Sequence, residues 1–266
     1  IDKAWLLTWE TPPVEDCPVF HHLFNPVHTR ADGTHPGLPL SDAIAAARHY
    51  PDRFVLGYCP TAMANNAPAL FEAAYHMYGV RVCGEWKQRM LIDDPRSLEL
   101  FRKAGALHCP VVIHLDIPYR PHPESGVIYK KDWYGGTITN LERALSACPE
   151  TVFLGHGPGF WREISADAHT SPDTYPTGPI TAPGRLITAL NNYPNLHLDL
   201  SANSALQALK RNTAFARELL CTHANRVLFA RDIYGNDLRT FLESLELPNN
   251  VKAKIYGDNA QRLIHD

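Results

Sequence analysis

The sequence has no apolar run near the roughly 20 residues that a membrane-spanning helix needs, which argues against a helical membrane span. It has no excess of one charge: 25 basic residues stand against 28 acidic ones over 266 positions, a net charge of −3. That balance lacks the electrostatic footprint of a nucleic-acid or membrane-surface binder, so the expected partner is a small-molecule substrate, with room for a homo-oligomer. It has no C-x-x-C pair. The six cysteines (Cys17, Cys59, Cys83, Cys109, Cys148 and Cys221) are widely separated and lie mostly in or beside apolar runs. They read as buried reduced thiols rather than a disulfide framework, and a cytoplasmic location follows. Nothing at the start resembles a signal peptide, and the chain opens on Ile1 as if in the middle of an element.

What the sequence does have is a rhythm. Seven short apolar runs recur: "AWLLTW" (4–9), "RFVLGYC" (53–59), "VRVCGEW" (80–86), "PVVIHLD" (110–116), "TVFLGHG" (151–157), "NLHLDLS" (195–201) and "RVLFARD" (226–232). Near-continuous apolar character suits parallel strands covered on both faces. Helical punctuation separates them: Asp94 as a cap with Pro95 as the first helical residue and Gly105 near the stop, Pro68 and Gly79 bracketing another helix, and a Thr139 to Glu142 capping box. Alternating strands and helices predict a parallel α/β fold. Polar residues at the end of strand after strand (Glu85, His114, His156, Asp199, Asp232) favour a closed (β/α)8 TIM barrel over a doubly wound sheet, because a barrel converges those ends. The reading is one domain over 1–266, with seven strands and the first strand of the barrel expected before Ile1.

Two connections exceed what a compact barrel loop needs, 117–138 and 157–183, and both follow strands at the same end. Long loops rich in Pro, Gly, Tyr and Trp are expected to act as lids or binding walls.

Side chains two apart on a strand share a face. His114 is thereby grouped with Val112 and Asp116, His156 with Leu154, Asp232 with Leu228 and Ala230, and Glu85 with Cys83 and Lys87. Two imidazoles and two carboxylates then reach a common centre, the donor set preferred by one divalent metal ion of the zinc type. Asp232 and His156 are the candidate catalytic groups; His114, His156, Asp232 and Glu85 are the candidate metal ligands. A strand that ends on charge-bearing groups is tolerable if those groups coordinate a cation. Asp116, His197 and Asp199 read as structural hydrogen bonders behind the centre.

The motifs "PVVIHLD", "VFLGHGPGFW", "NLHLDLSA", "RVLFARDIYG" and "IYGDNAQRLI" together resemble the amidohydrolase-related family of the metal-dependent hydrolase superfamily, over most of the chain from "PDRFVLGYCP" onward. The resemblance implies a (β/α)8 barrel with His114 as the fifth-strand metal ligand. It also implies that His156 binds metal or orients the attacking water, and that Asp232 binds metal and shuttles the proton. Glu85 in "CGEW" is similar to the fourth-strand glutamate ligand of the TatD-like nucleases, a related branch. The superfamily's first-strand H-x-H pair is absent from the front of the chain; His21 and His22 are adjacent, and on a strand would face opposite ways.

Near the same face, Trp133, Tyr134, Arg120 and Trp161 are the candidate substrate contacts, with Arg162, Lys130 and Lys131 as further cations for a substrate carboxylate. The expected activity is hydrolysis of a C–N or ester-type bond in a small polar substrate. The alternatives are a metal-dependent decarboxylase of the same family and an inactive barrel fragment.

Overall fold

The seven apolar runs are all strands in the computed structural model, which describes residues 2–11, 35–232 and 234–265. We number them β1 (Ala4–Leu6), β2 (Phe54–Leu56), β3 (Cys83–Trp86), β4 (Val111–His114), β5 (Phe153–His156), β6 (Leu196–Asp199) and β7 (Val227–Leu228). Each lies parallel to the next in chain order. Ala4 stands opposite Phe54, Gly57 bridges to Val82, and Cys83 stands opposite Val111. β4 and β5 then run in register from Val111 and Phe153 to His114 and His156, and β6 pairs with both β5 and β7. Among the described residues no pairing joins β1 to β7. His21 and His22 lie outside the described residues.

Helices α1 (Leu40–His49), α2 (Ala67–Tyr78), α3 (Pro95–Ala106), α4 (Ile138–Ala147) and α5 (Arg185–Asn192) stand between successive strands; α6 (Ala202–Lys210) and α7 (Thr213–Thr222) precede β7, and α8 (Asp237–Ser244) and α9 (Asn259–His265) follow it. Two apolar layers result. Val55, Val82, Val112, Leu154 and Leu228, one from each of five strand segments, form an inner cluster that Trp5, Leu7 and the α9 residues Ala260, Leu263 and Ile264 pack against. Leu56, Cys83, Trp86, Ile113, Phe153 and Leu198 belong to a larger outer cluster shared with helix residues such as Phe71, Phe101, Leu141 and Leu186. A strand that is apolar on both faces explains why its sequence shows no clean alternation. The inner cluster is the filled lumen of a barrel.

Local grammar accounts for some helix ends. The Asp94 side chain accepts from the Arg96 amide at 3.0 Å, and Gly79 closes α2 in the left-handed conformation at φ 70°. The expected Thr139–Glu142 capping box is corrected. Thr137 is the cap of α4, and its amide donates to Asn140 Oδ1 at 3.0 Å. Thr139 and Glu142 instead bind the guanidinium of Arg185, which draws both outward. Helix α1 was not expected, because it lacks a glycine stop and buries only Ala43.

Asn259, in the "IYGDNAQRLI" motif, is fully buried and donates its amide to the carbonyls of Ala224 (2.7 Å) and Val227 (2.8 Å), tying α9 to the entry of β7. N259A leaves two buried carbonyls unpaired and should cost about 2–3 kcal/mol. At roughly 2–4 °C per kcal/mol for a chain of this size, the melting temperature should fall by roughly 5–10 °C. A fall of less than about 2 °C in a calorimetric scan would show that the carbonyls find other partners.

Candidate functional site

His114 closes β4 two residues after the lumen residue Val112, and His156 closes β5 two residues after Leu154, so both imidazoles face inward at the C-terminal strand ends. Glu85 arrives there by a different route. Cys83 and Trp86 both belong to the outer cluster, whereas Val82 belongs to the lumen. Cys83 pairs with Val111 and Trp86 with Ile113, so three steps on β3 match two on β4. This bulge overturns the expected shared face of Cys83, Glu85 and Lys87 and turns Glu85 to the inside. Trp86 is packed with Phe101 at a centroid distance of 5.7 Å and is wholly buried.

The three side chains meet. Glu85 Oε1 lies 2.9 Å from His114 Nδ1 and 3.8 Å from His156 Nε2, and the two imidazole centroids are 5.0 Å apart. Asp232, just past β7, brings Oδ2 to 3.7 Å from His156 Nε2 while its side chain stays about half exposed (54%). The other nitrogen of His156, Nδ1, is held by Ser201 Oγ at 2.8 Å, and the Ser201 amide donates to Asp199 Oδ1 at 2.7 Å. Ser201 thus fixes the ring so that Nε2 points at the carboxylates. Its only signal in the sequence is its parity with Asp199.

Burial pushes the Glu85 carboxyl up, but the hydrogen bond from His114 and the neighbouring positive charge, Lys87 included, hold it down at about 2. Burial, reinforced by Lys87, pushes His114 down to about 4 against its bond to Glu85. At neutral pH the pair is therefore a carboxylate and an uncharged imidazole, and the carboxylate owes its low value to the Nδ1–H bond and to Lys87. Lys87, missed as a site residue, stands 5.4 Å from the Tyr134 ring and 5.6 Å from the Trp9 ring.

Of the candidate substrate contacts, Tyr134 reaches the centre: its ring packs edge-on against His114 at 5.4 Å. Trp133 is half-buried and donates to the Tyr129 hydroxyl at 3.2 Å. Arg120 crosses to the second long connection, donating to Thr174 Oγ1 at 2.7 Å. Trp161 is wholly buried and donates its indole N–H to the Asp199 carbonyl at 3.0 Å, so it supports the wall and offers no surface to a ligand. Arg162, expected as a cation for a substrate carboxylate, is instead a buried brace that binds the carbonyls of Ala168, Ser171 and Asp173.

Both long connections are built structures. The first forms a hairpin of Tyr119–His122 with Gly126–Tyr129, latched where Asp116 and Tyr134 exchange backbone hydrogen bonds (2.8 and 2.9 Å) and where Lys130 pairs with the Asp116 carboxylate. The second starts on "HGPGF". Gly157 has φ 94°, a Cβ there would lie 2.7 Å from the Leu115 carbonyl, and one on Gly159 would lie 2.7 Å from Asp116 Cα. Only glycines let this segment cross so close to the end of β4.

The sequence profile of the amidohydrolase family matches residues 40–265, which include six of the seven strands. This chain belongs to the amidohydrolase family. Solved structures show the same fold. An uncharacterized TIM-barrel protein from Bordetella bronchiseptica is 20% identical, with a TM-score of 0.55 over 84% of this chain and 70% of its own. A dihydroxybenzoic acid decarboxylase from Polaromonas, solved with manganese and the inhibitor 2-nitroresorcinol, is 16% identical (TM-score 0.54; 84% and 73%). A putative 2-pyrone-4,6-dicarboxylic acid hydrolase from Pseudomonas putida is 15% identical (TM-score 0.55; 97% of each chain). No curated protein matches the sequence. No helix among the described residues of this amidohydrolase-family chain is long and apolar enough to cross a membrane.

Beneath the centre, His197 faces the lumen opposite Leu154, buried, with Nδ1 unpartnered among the described residues. Burial, then the charges of Arg226 and Arg262, push it down to about 4. The unfolded chain takes up this proton near pH 6.5, so the contribution of His197 is fully present above about pH 6.5 and is lost as pH falls toward about 4. The expected loss is about 3 kcal/mol. H197N should flatten the fall in melting temperature between about pH 7 and about pH 4.5; an unchanged slope in that variant would rule His197 out as the source.

Proposed function

We propose that the chain is a metal-dependent hydrolase that cleaves a C–N or ester-type bond in a small polar substrate. The observation that carries this reading is the cluster of Glu85, His114 and His156, whose ligand atoms all lie within 4.8 Å of one another at the C-terminal ends of three strands. Ligand atoms about 2.0–2.2 Å from one ion stand roughly 3–4 Å apart, and the separations of 2.9 and 3.8 Å around Glu85 Oε1 meet that requirement. Two neutral nitrogen donors and a carboxylate suit zinc. Bound there, zinc would acidify a water molecule and polarise the oxygen of the bond under attack.

The chain's own groups do the rest. Glu85, His114 and His156 hold the ion, and Ser201 keeps the His156 ring turned toward it. Asp232, close to His156 yet open to solvent, accepts a proton on its carboxylate and returns it to the leaving group. Tyr134, carried by the first long connection, walls one side of the site against His114. The second reading is decarboxylation at the same centre, with Asp232 delivering a proton to a ring carbon. It is favoured by the similarity to the dihydroxybenzoic acid decarboxylase, which was solved with bound manganese.

Elemental analysis of the purified chain should find about one zinc per chain, lowered about tenfold or more in H114A and in H156A. D232N should keep the metal and lower kcat roughly 100- to 10,000-fold. Acid release from amides and lactones assayed beside CO2 release from dihydroxybenzoates separates the two readings. A wild-type chain without metal, or one whose metal is indifferent to H114A, would sink both.

A further inference from the structure

Ser201 stands at the N-terminal end of α6, where a serine ordinarily turns its hydroxyl onto an amide of the first helical turn. Here it makes no such bond. Its Oγ is turned the other way, onto His156 Nδ1 at 2.8 Å, and its amide donates to Asp199 Oδ1 at 2.7 Å. The next residue, Ala202, lies in the left-handed region at φ 60°, which residues other than glycine seldom adopt. A forgone cap and a strained residue both count against this turn, so it persists because of what Ser201 meets on the inside. His156, Asp199 and Ser201 are all buried, and the Trp161 indole fixes the strand end by donating to the Asp199 carbonyl at 3.0 Å.

The place of one proton decides what His156 can do. A neutral imidazole carries it on one nitrogen and offers the lone pair of the other. On Nε2 the proton would face Asp232 Oδ2 at 3.7 Å and Glu85 Oε1 at 3.8 Å, both beyond hydrogen-bond reach, and it would close that atom to a metal ion. On Nδ1 it meets Ser201 Oγ at 2.8 Å. A hydroxyl has one hydrogen and two lone pairs, so Ser201 accepts from the ring if its own hydrogen goes elsewhere, and an ionised carboxylate only accepts. Asp199 stands there. Burial raises its carboxyl, and the charge of His156, then the Ser201 side chain and the Ser201 amide, oppose that rise.

We propose that Asp199 and Ser201 are positioning residues that set the proton of His156. Nδ1–H donates to Ser201 Oγ, Ser201 Oγ–H donates to the Asp199 carboxylate, and Nε2 is left bare toward Glu85 and Asp232. What Nε2 then binds rests on the reading of Glu85, His114 and His156 as a metal centre.

The test reads the ring nitrogens of the full, metal-free chain by NMR with labelled histidine, at about pH 8.5, where an ordinary imidazole is neutral. H156A assigns the signal. Zinc affinity is measured in parallel by competition with a chelator in the wild type, S201A, D199N and the double variant. D199N leaves an acceptor for the Ser201 amide but puts a donor where the hydroxyl needs an acceptor. The wild type should carry the His156 proton on Nδ1, and D199N should move it to Nε2. The Kd for zinc should rise about tenfold or more in S201A and in D199N, and the double variant should match S201A within about twofold because both changes act through one hydroxyl. A wild-type proton on Nε2, a D199N chain that matches the wild type in proton position and zinc affinity, or additive losses in the double variant would each overturn the proposal. Should both single variants fail to fold, the wild-type spectrum alone decides. If the wild type binds no zinc while its proton sits on Nδ1 and leaves it in D199N, the metal centre falls and the positioning pair stands.

Discussion

One buried carboxylate between two imidazoles organises this molecule. Glu85 bonds His114 at 2.9 Å and faces His156 at 3.8 Å, with the three groups on β3, β4 and β5. Burying those groups together is tolerable only while each meets the others, because an isolated buried charge is far more costly than a paired one. The three adjacent strands must therefore end at one level, and β3 must carry its bulge. The inner cluster of Val55, Val82, Val112, Leu154 and Leu228 provides the dry floor on which that meeting takes place.

The supports around the trio are layered outward by hydrogen bonds. Ser201 holds His156, Asp199 holds Ser201, and Trp161 holds the Asp199 carbonyl from the outer layer. On the other side the Asp116–Tyr134 exchange and the Lys130 pair fasten the first connection so that the Tyr134 ring meets His114. The second connection is fastened by Arg162 and Arg211, which bind its carbonyls, with Arg211 also paired with Asp167.

The seven strands, the parallel order and the inward histidines were legible from the one-dimensional pattern, because a strand apolar on both faces and polar at one end can sit in few other places. The family resemblance rested on motifs that the fold uses physically: "HGPGF" as a glycine crossing over β4, and "IYGDNAQRLI" as the Asn259 anchor. Where simple rules failed, a contact distant in sequence had overridden them. Thr139 and Glu142 form no cap because Arg185 binds both, and Arg162 is turned from a ligand-facing cation into a brace by three carbonyls of its own loop.

The sequence by itself determined which elements form and which residues stand at strand ends, since apolar periodicity and turn chemistry act over a few neighbours. Only the tertiary structure decided how Glu85 reaches the lumen, that Ser201 sets the His156 ring, and that Arg162 is enclosed by the carbonyls of its own loop. Those outcomes depend on strand register and on pairings between residues tens of positions apart, which local pattern does not encode.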